Sequence, residues 1–122
     1  MLQAEFDVVA AVRDGHSLVL AAEQWKPDVI VTDIAMPHMD GIQAAKTLVE
    51  KNPHAKIIML TVHDDPAIVH LALSAGAKGY VLKVRASREL SQAIRLVSQG
   101  ELYLSPGLGS VRMVALPEAG DA

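Results

Sequence analysis

At 122 residues and 13.0 kDa the chain has the size of one domain, able to bury about two thirds of the surface its unfolded form exposes. Its 51% hydrophobic and 20% charged residues exclude wholesale disorder, and aromatics at 3% argue against a stacking platform for single-stranded nucleic acid. A net charge of −3 without basic clusters argues against a duplex-binding surface, and the absence of cysteine excludes disulfides, thiolate zinc sites and a cysteine nucleophile.

No apolar run approaches the roughly 20 residues that span a bilayer, and the first residues show no basic-then-apolar leader. The expectation is a cytoplasmic protein without membrane association.

The predicted elements alternate. Residues 6–12 read as a short strand closed by Asp14-Gly15. Ser17 is placed to cap a helix running to about Gln24, with Leu18, Ala21, Ala22 and Trp25 on one side, and Pro27 ends it. Val29-Ile30-Val31 is a continuous β-branched run, which suits a strand buried on both faces of a parallel sheet. After a loop holding Pro37, Asp40 caps a helix from Gly41 to Glu50, apolar at Ile42, Ala45 and Leu48, and Asn52-Pro53 stops it. Ile57-Ile58-Met59-Leu60-Thr61 is a further buried-type strand. Asp65 caps and Pro66 opens a helix that ends before Gly76. Gly79-Tyr80-Val81-Leu82-Lys83 reads as a short strand. Ser87, with Glu89 in its first turn, opens an amphipathic helix carrying Leu90, Ala93, Ile94 and Val97, and Gly100 ends it. Residues 1–104 form the domain. Residues 105–122, with two prolines and an acidic end, read as a tail or linker remnant.

Such βα alternation implies an α/β domain with a parallel sheet covered by helices on both faces. In these sheets functional groups gather at the carboxyl ends of the strands. Three polar residues end three strands there: Asp33, Thr61 and Lys83. A carboxylate can attack a phosphodonor and become an acyl phosphate, and a hydroxyl and an ammonium can then receive the phosphoryl oxygens. Three strand-end polar residues that merely face water give the same pattern, so position alone leaves both readings open. Asp40 and Asp65 read first as helix caps. The five histidines fit no metal-ligand spacing and read as solvated, with His38 and His63 in loops on the same side as Asp33.

The stretch Val29-Ile30-Val31-Thr32-Asp33-Ile34-Ala35-Met36-Pro37-His38-Met39-Asp40-Gly41 resembles the phospho-acceptor segment of bacterial response-regulator receiver domains. Ile57 to Thr61 resembles the receiver strand that ends in the switch Thr/Ser, and Gly76-Ala77-Lys78-Gly79-Tyr80-Val81-Leu82-Lys83 resembles the segment carrying the receiver lysine. Gly100-Glu101-Leu102-Tyr103-Leu104-Ser105-Pro106 is similar to the end of receivers in NarL/LuxR-type transcriptional regulators. The resemblance implies a flavodoxin-like (CheY-like) fold and a signalling protein rather than an enzyme. In that reading a sensor histidine kinase phosphorylates Asp33. Thr61 is the switch hydroxyl, Tyr80 the switch aromatic, and Lys83 the cation on the phosphoryl group. Asp33 and the Ala35 backbone carbonyl are then ligands of Mg²⁺. The helix after Pro66, the strand from Gly79 and the last helix would form the responding face. The family also implies contact with DNA through an output domain not present in this chain, while open strand edges and exposed apolar surface would favour a homodimer.

Two features depart from the family pattern: Val84 follows Lys83 where relatives usually carry a polar residue or proline, and the start of the receiver is different. Receivers begin with a strand ending in an acidic pair that holds Mg²⁺, followed by a first helix. Here the expected fold lacks that strand and most of that helix, with Met1 to Ala4 as a stub. A hard dication needs several oxygen ligands, so the expectation is weak Mg²⁺ binding. The alternative function is a receiver-like interaction or dimerisation module that works without phosphorylation.

Overall fold

The computed structural model describes residues 14–34 and 40–106. In chain order the elements are α1 (Gly15–Trp25), β1 (Ile30–Thr32), α2 (Gly41–Lys51), β2 (Ile57–Thr61), α3 (Pro66–Ser74), β3 (Gly79–Leu82), a 3₁₀ turn (Lys83–Arg85), α4 (Ala86–Ser98) and β4 (Tyr103–Leu104). The four strands lie in the order β1-β2-β3-β4, all parallel. The expected strand at residues 6–12, the Ala35 carbonyl and His38 lie outside the described residues.

Both faces of the sheet are covered, which is why β2 reads as an unbroken apolar run rather than an alternating one. Ile57, Met59 and Tyr80 pack with α1, α2 and α3 through Leu18, Val19, Ala44, Ala45, Leu48, Val69 and Ala72. Their neighbours Ile58 and Val81 point the other way, onto Leu90, Ala93, Ile94 and Val97 of α4. The small side chains Ala44, Ala45 and Ala72 on α2 and α3 are fully buried in that core. Gly76 ends α3 in the left-handed region (φ 110°), a conformation that side-chain-bearing residues seldom adopt.

The helix starts follow local chemistry. The Asp40 carboxylate accepts the Gln43 N–H (2.8 Å) and that of Asp65 accepts the Ala67 N–H (2.8 Å), as the sequence pattern predicts. At α1 the cap is Asp14, not Ser17. Asp14 accepts the Ser17 N–H (2.8 Å), so Ser17 lies inside the first turn. At α4 the expected cap Ser87 is also inside the helix. The chain enters α4 from the 3₁₀ turn, whose own hydrogen bonds serve the first N–H groups, and Arg85 at the boundary makes no side-chain cap. Lys83 thus belongs to that turn and not to β3.

The carboxyl end of the chain also differs from the expectation. Tyr103 and Leu104 pair with Gly79 and Tyr80 as a fourth strand, and Ser105, assigned to the tail by the sequence reading, is fully buried. A two-residue strand carries no detectable periodicity. It forms because β3 offers it a ready row of backbone partners.

Candidate functional site

The sheet register sets out the site. Thr32 is level with Met59, and Thr61 is level with Leu82. Asp33, one residue past β1, and Lys83, one residue past β3, therefore flank the end of β2. Their side chains meet: Lys83 Nζ lies 2.5 Å from Asp33 Oδ2, joining residues 50 positions apart. The pair stands in water, with 45% of the lysine and 31% of the aspartate side chain exposed.

Thr61 and Tyr80 form a second, dry group, both fully buried. The backbone of His63 joins them. Its N–H donates to Thr61 Oγ1 (3.2 Å), and its carbonyl accepts the Tyr80 hydroxyl (2.7 Å). Burial, reinforced by the nearby Asp64 and Asp65 carboxylates, pushes the Tyr80 phenol up to about 12. Tyr80 is therefore a neutral donor at any physiological pH.

The Asp33 backbone is held from two sides. The Thr32 hydroxyl donates to the Asp33 carbonyl (3.1 Å). The Gly41 N–H donates to the Ile34 carbonyl (2.7 Å), bringing the start of α2 against the end of β1. A Cβ at Gly41 would fall 2.1 Å from the Asp33 carbonyl oxygen, so only glycine fits there. The sequence reading quoted Gly41 as part of a motif but gave it no role. The available signal was a glycine directly after a capping residue, where helices prefer a side chain. His63 was read only through its imidazole, and a backbone role leaves no trace in sequence.

Comparison with known proteins places the chain. Residues 1–95 match the response regulator receiver domain family. The chain belongs to that family. This receiver is 39% identical over 105 residues to the transcriptional regulatory protein DegU of Brevibacillus brevis, covering 86% of this chain and 44% of that protein. It superposes on a LuxR-family two-component response regulator from Aurantimonas with a TM-score of 0.81 and 32% identity, covering 84% of this chain and 74% of that one. The isolated receiver domain of RcsB from Salmonella enterica, in the presence of the phosphomimetic BeF₃⁻, gives a TM-score of 0.79 at 27% identity, covering 90% of this chain and 83% of that one. The chain spans about half the length of the curated relatives it matches, from 44% to 50%. The fold is the flavodoxin-like receiver fold, as the motifs imply.

Receiver domains as a family bind Mg²⁺. Among the described residues no three of His, Cys, Asp and Glu are grouped so that they could hold a metal ion. Asp33 brings one carboxylate, and one of its oxygens already faces an ammonium. That donor set does not fit a hard dication, which requires several oxygens. Also among the described residues, no helix is long and apolar enough to cross a membrane.

Proposed function

We propose that Asp33 accepts a phosphoryl group and that Lys83 and Thr61 receive its oxygens, so that the chain acts as the phosphorylated input of a transcriptional response regulator. A carboxylate oxygen of Asp33 attacks phosphorus. A P–O bond forms as the P–N bond of a phosphohistidine donor breaks, and the electron pair leaves with the imidazole. The observation that carries the reading is the Lys83–Asp33 contact across the strand ends. The ammonium is already in place for the negative charge that the transferred group brings, so little rearrangement is needed as charge develops. Thr61 answers next. Its oxygen accepts the His63 N–H, and the carbonyl of the same residue holds Tyr80, so a turn of the hydroxyl toward a phosphoryl oxygen would be felt along the His63 backbone.

The donor in this reading is a sensor histidine kinase, which sets the protein in the cytoplasm. Transcriptional output, the activity in the name of DegU, would be exerted by the portion of such regulators that this chain does not span.

A second reading, a module that signals by association without phosphorylation, is favoured by one observation: the described residues give Asp33 no acidic companions for a cation. One experiment separates the two. The chain is incubated with acetyl phosphate, with and without Mg²⁺, then trapped with borohydride and mapped by mass spectrometry. Label on Asp33, lost in Asp33→Asn, supports phosphotransfer. An unlabelled chain, or label that persists in Asp33→Asn, contradicts it.

A further inference from the structure

The most deeply buried polar group that the site does not use is Ser105. Its N–H donates to the Tyr80 carbonyl (3.0 Å), which extends the β3–β4 ladder by one bond. Pro106 follows and has no N–H with which to continue. At that point the Ser105 hydroxyl replaces the strand. It accepts the Leu82 N–H (3.1 Å) and donates to Glu89 Oε1 (2.8 Å). Glu89 is itself nearly buried, with 12% of its side chain exposed, and its second oxygen lies 3.5 Å from Arg85 Nη1. Burying a hydroxyl and a carboxylate is costly unless each is hydrogen-bonded; here Ser105 makes two hydrogen bonds, and Glu89 is hydrogen-bonded by Ser105 and Tyr103 and paired with Arg85.

The geometry of those partners is specific. Leu82 immediately precedes Lys83, and Arg85 closes the 3₁₀ turn that Lys83 opens. One serine–glutamate pair thus holds the Lys83 turn at both ends: Ser105 at Leu82, Glu89 at Arg85. Lys83 reaches Asp33 from that turn.

We propose that Ser105 and Glu89 are positioning residues for Lys83, clamping its turn so that the ammonium stays on Asp33. The inference rests on the reading of Asp33 as phosphoryl acceptor and adds to it the residues that aim the cation.

The test uses the full chain and two readouts: the limiting rate of Asp33 labelling at saturating acetyl phosphate with Mg²⁺, and amide hydrogen exchange at Leu82 and Lys83. Ser105→Ala and Glu89→Ala each lower the rate about fivefold and speed the Leu82 exchange about tenfold, as expected for the loss of one buried hydrogen bond and its partner's satisfaction. Glu89→Gln keeps an acceptor for Ser105 and stays within about twofold of the unmodified rate. Ile94→Val, which trims the buried face of the same helix, leaves the rate unchanged. Labelling that is unaffected by Ser105→Ala and Glu89→Ala, or that falls as much in Ile94→Val, overturns the proposal. If the unmodified chain takes no label on Asp33, the phosphotransfer reading fails by itself. The clamp is then judged on exchange: faster exchange at Leu82 and Lys83 in Ser105→Ala upholds it, and unchanged protection overturns it.

Discussion

Two groups of side chains at the same end of the sheet live in opposite environments. Asp33 and Lys83 meet in solvent, while Thr61 and Tyr80 are shut away from it. An exposed ion pair contributes little to stability, in the range of about 0–1 kcal/mol, because water competes for both charges. A buried ring hydrogen-bonded to a backbone carbonyl contributes much more, through packing and through the cost of leaving that carbonyl unpaired. The difference teaches a division of labour. In the proposed function the wet pair changes its chemistry without unfolding the domain, and the dry pair, joined through the backbone of His63, registers that change.

The largest effect expected from breaking this contrast is in the dry group. Tyr80→Ala removes a fully buried ring from beside Met59 and Ile57 and is expected to cost about 3–5 kcal/mol, read as a lowered urea midpoint. A mutant as stable as the unmodified chain would mean the ring is not the core element it is taken to be.

Gly41→Ala comes next. The new methyl must push the Asp33 carbonyl away, with an expected loss of about 1–3 kcal/mol typical of overpacking. The wet pair is disturbed as well, so this variant is expected to lose Asp33 labelling along with stability. Unchanged labelling would show that the backbone of Asp33 tolerates movement.

The smallest effect sharpens the contrast through pH. The folded Tyr80 phenol ionises near 12, above its ordinary value of about 10. Its contribution is therefore complete below about pH 10, where the unfolded phenol is also neutral, and is lost as pH rises from 10 toward 12. Tyr103 is raised in the same direction, by burial and by Glu89. Denaturant midpoints across this range should fall less steeply in Tyr80→Phe than in the unmodified chain, with Tyr103 supplying the remaining slope. Parallel curves would contradict the assignment.

Much of this arrangement was legible in the sequence wherever one local rule decided the outcome. Unbroken apolar runs marked β2 and β3, because strands covered on both faces need no alternation. Asp40 and Asp65 read correctly as caps, since each stands before a helix with a free N–H within reach. Asp33 and Lys83 were expected at the carboxyl ends of two different strands, and the parallel register, with β2 between them, lets their side chains meet. The readings that missed turned on competition or on distant partners. Asp14 outcompeted Ser17 for the same cap, and the 3₁₀ turn made a cap at Ser87 unnecessary. Strand β4 exists only because β3 is there to receive it. The Ser105–Glu89 bond spans 16 residues, and no pattern in either segment announces it. The role of His63 belongs to its backbone N–H and carbonyl, groups that nearly every residue carries.

The division between wet and dry groups is tested most directly by Lys83→Ala, with melting temperature and Asp33 labelling rate measured on the same preparation. The account predicts a melting temperature within about 5 °C of the unmodified chain, as for the loss of an exposed ion pair. It also predicts labelling about a hundredfold slower, as for the removal of a preorganised charge facing the transferred group. Labelling at the unmodified rate, or a loss of stability as large as that of Tyr80→Ala, would contradict it.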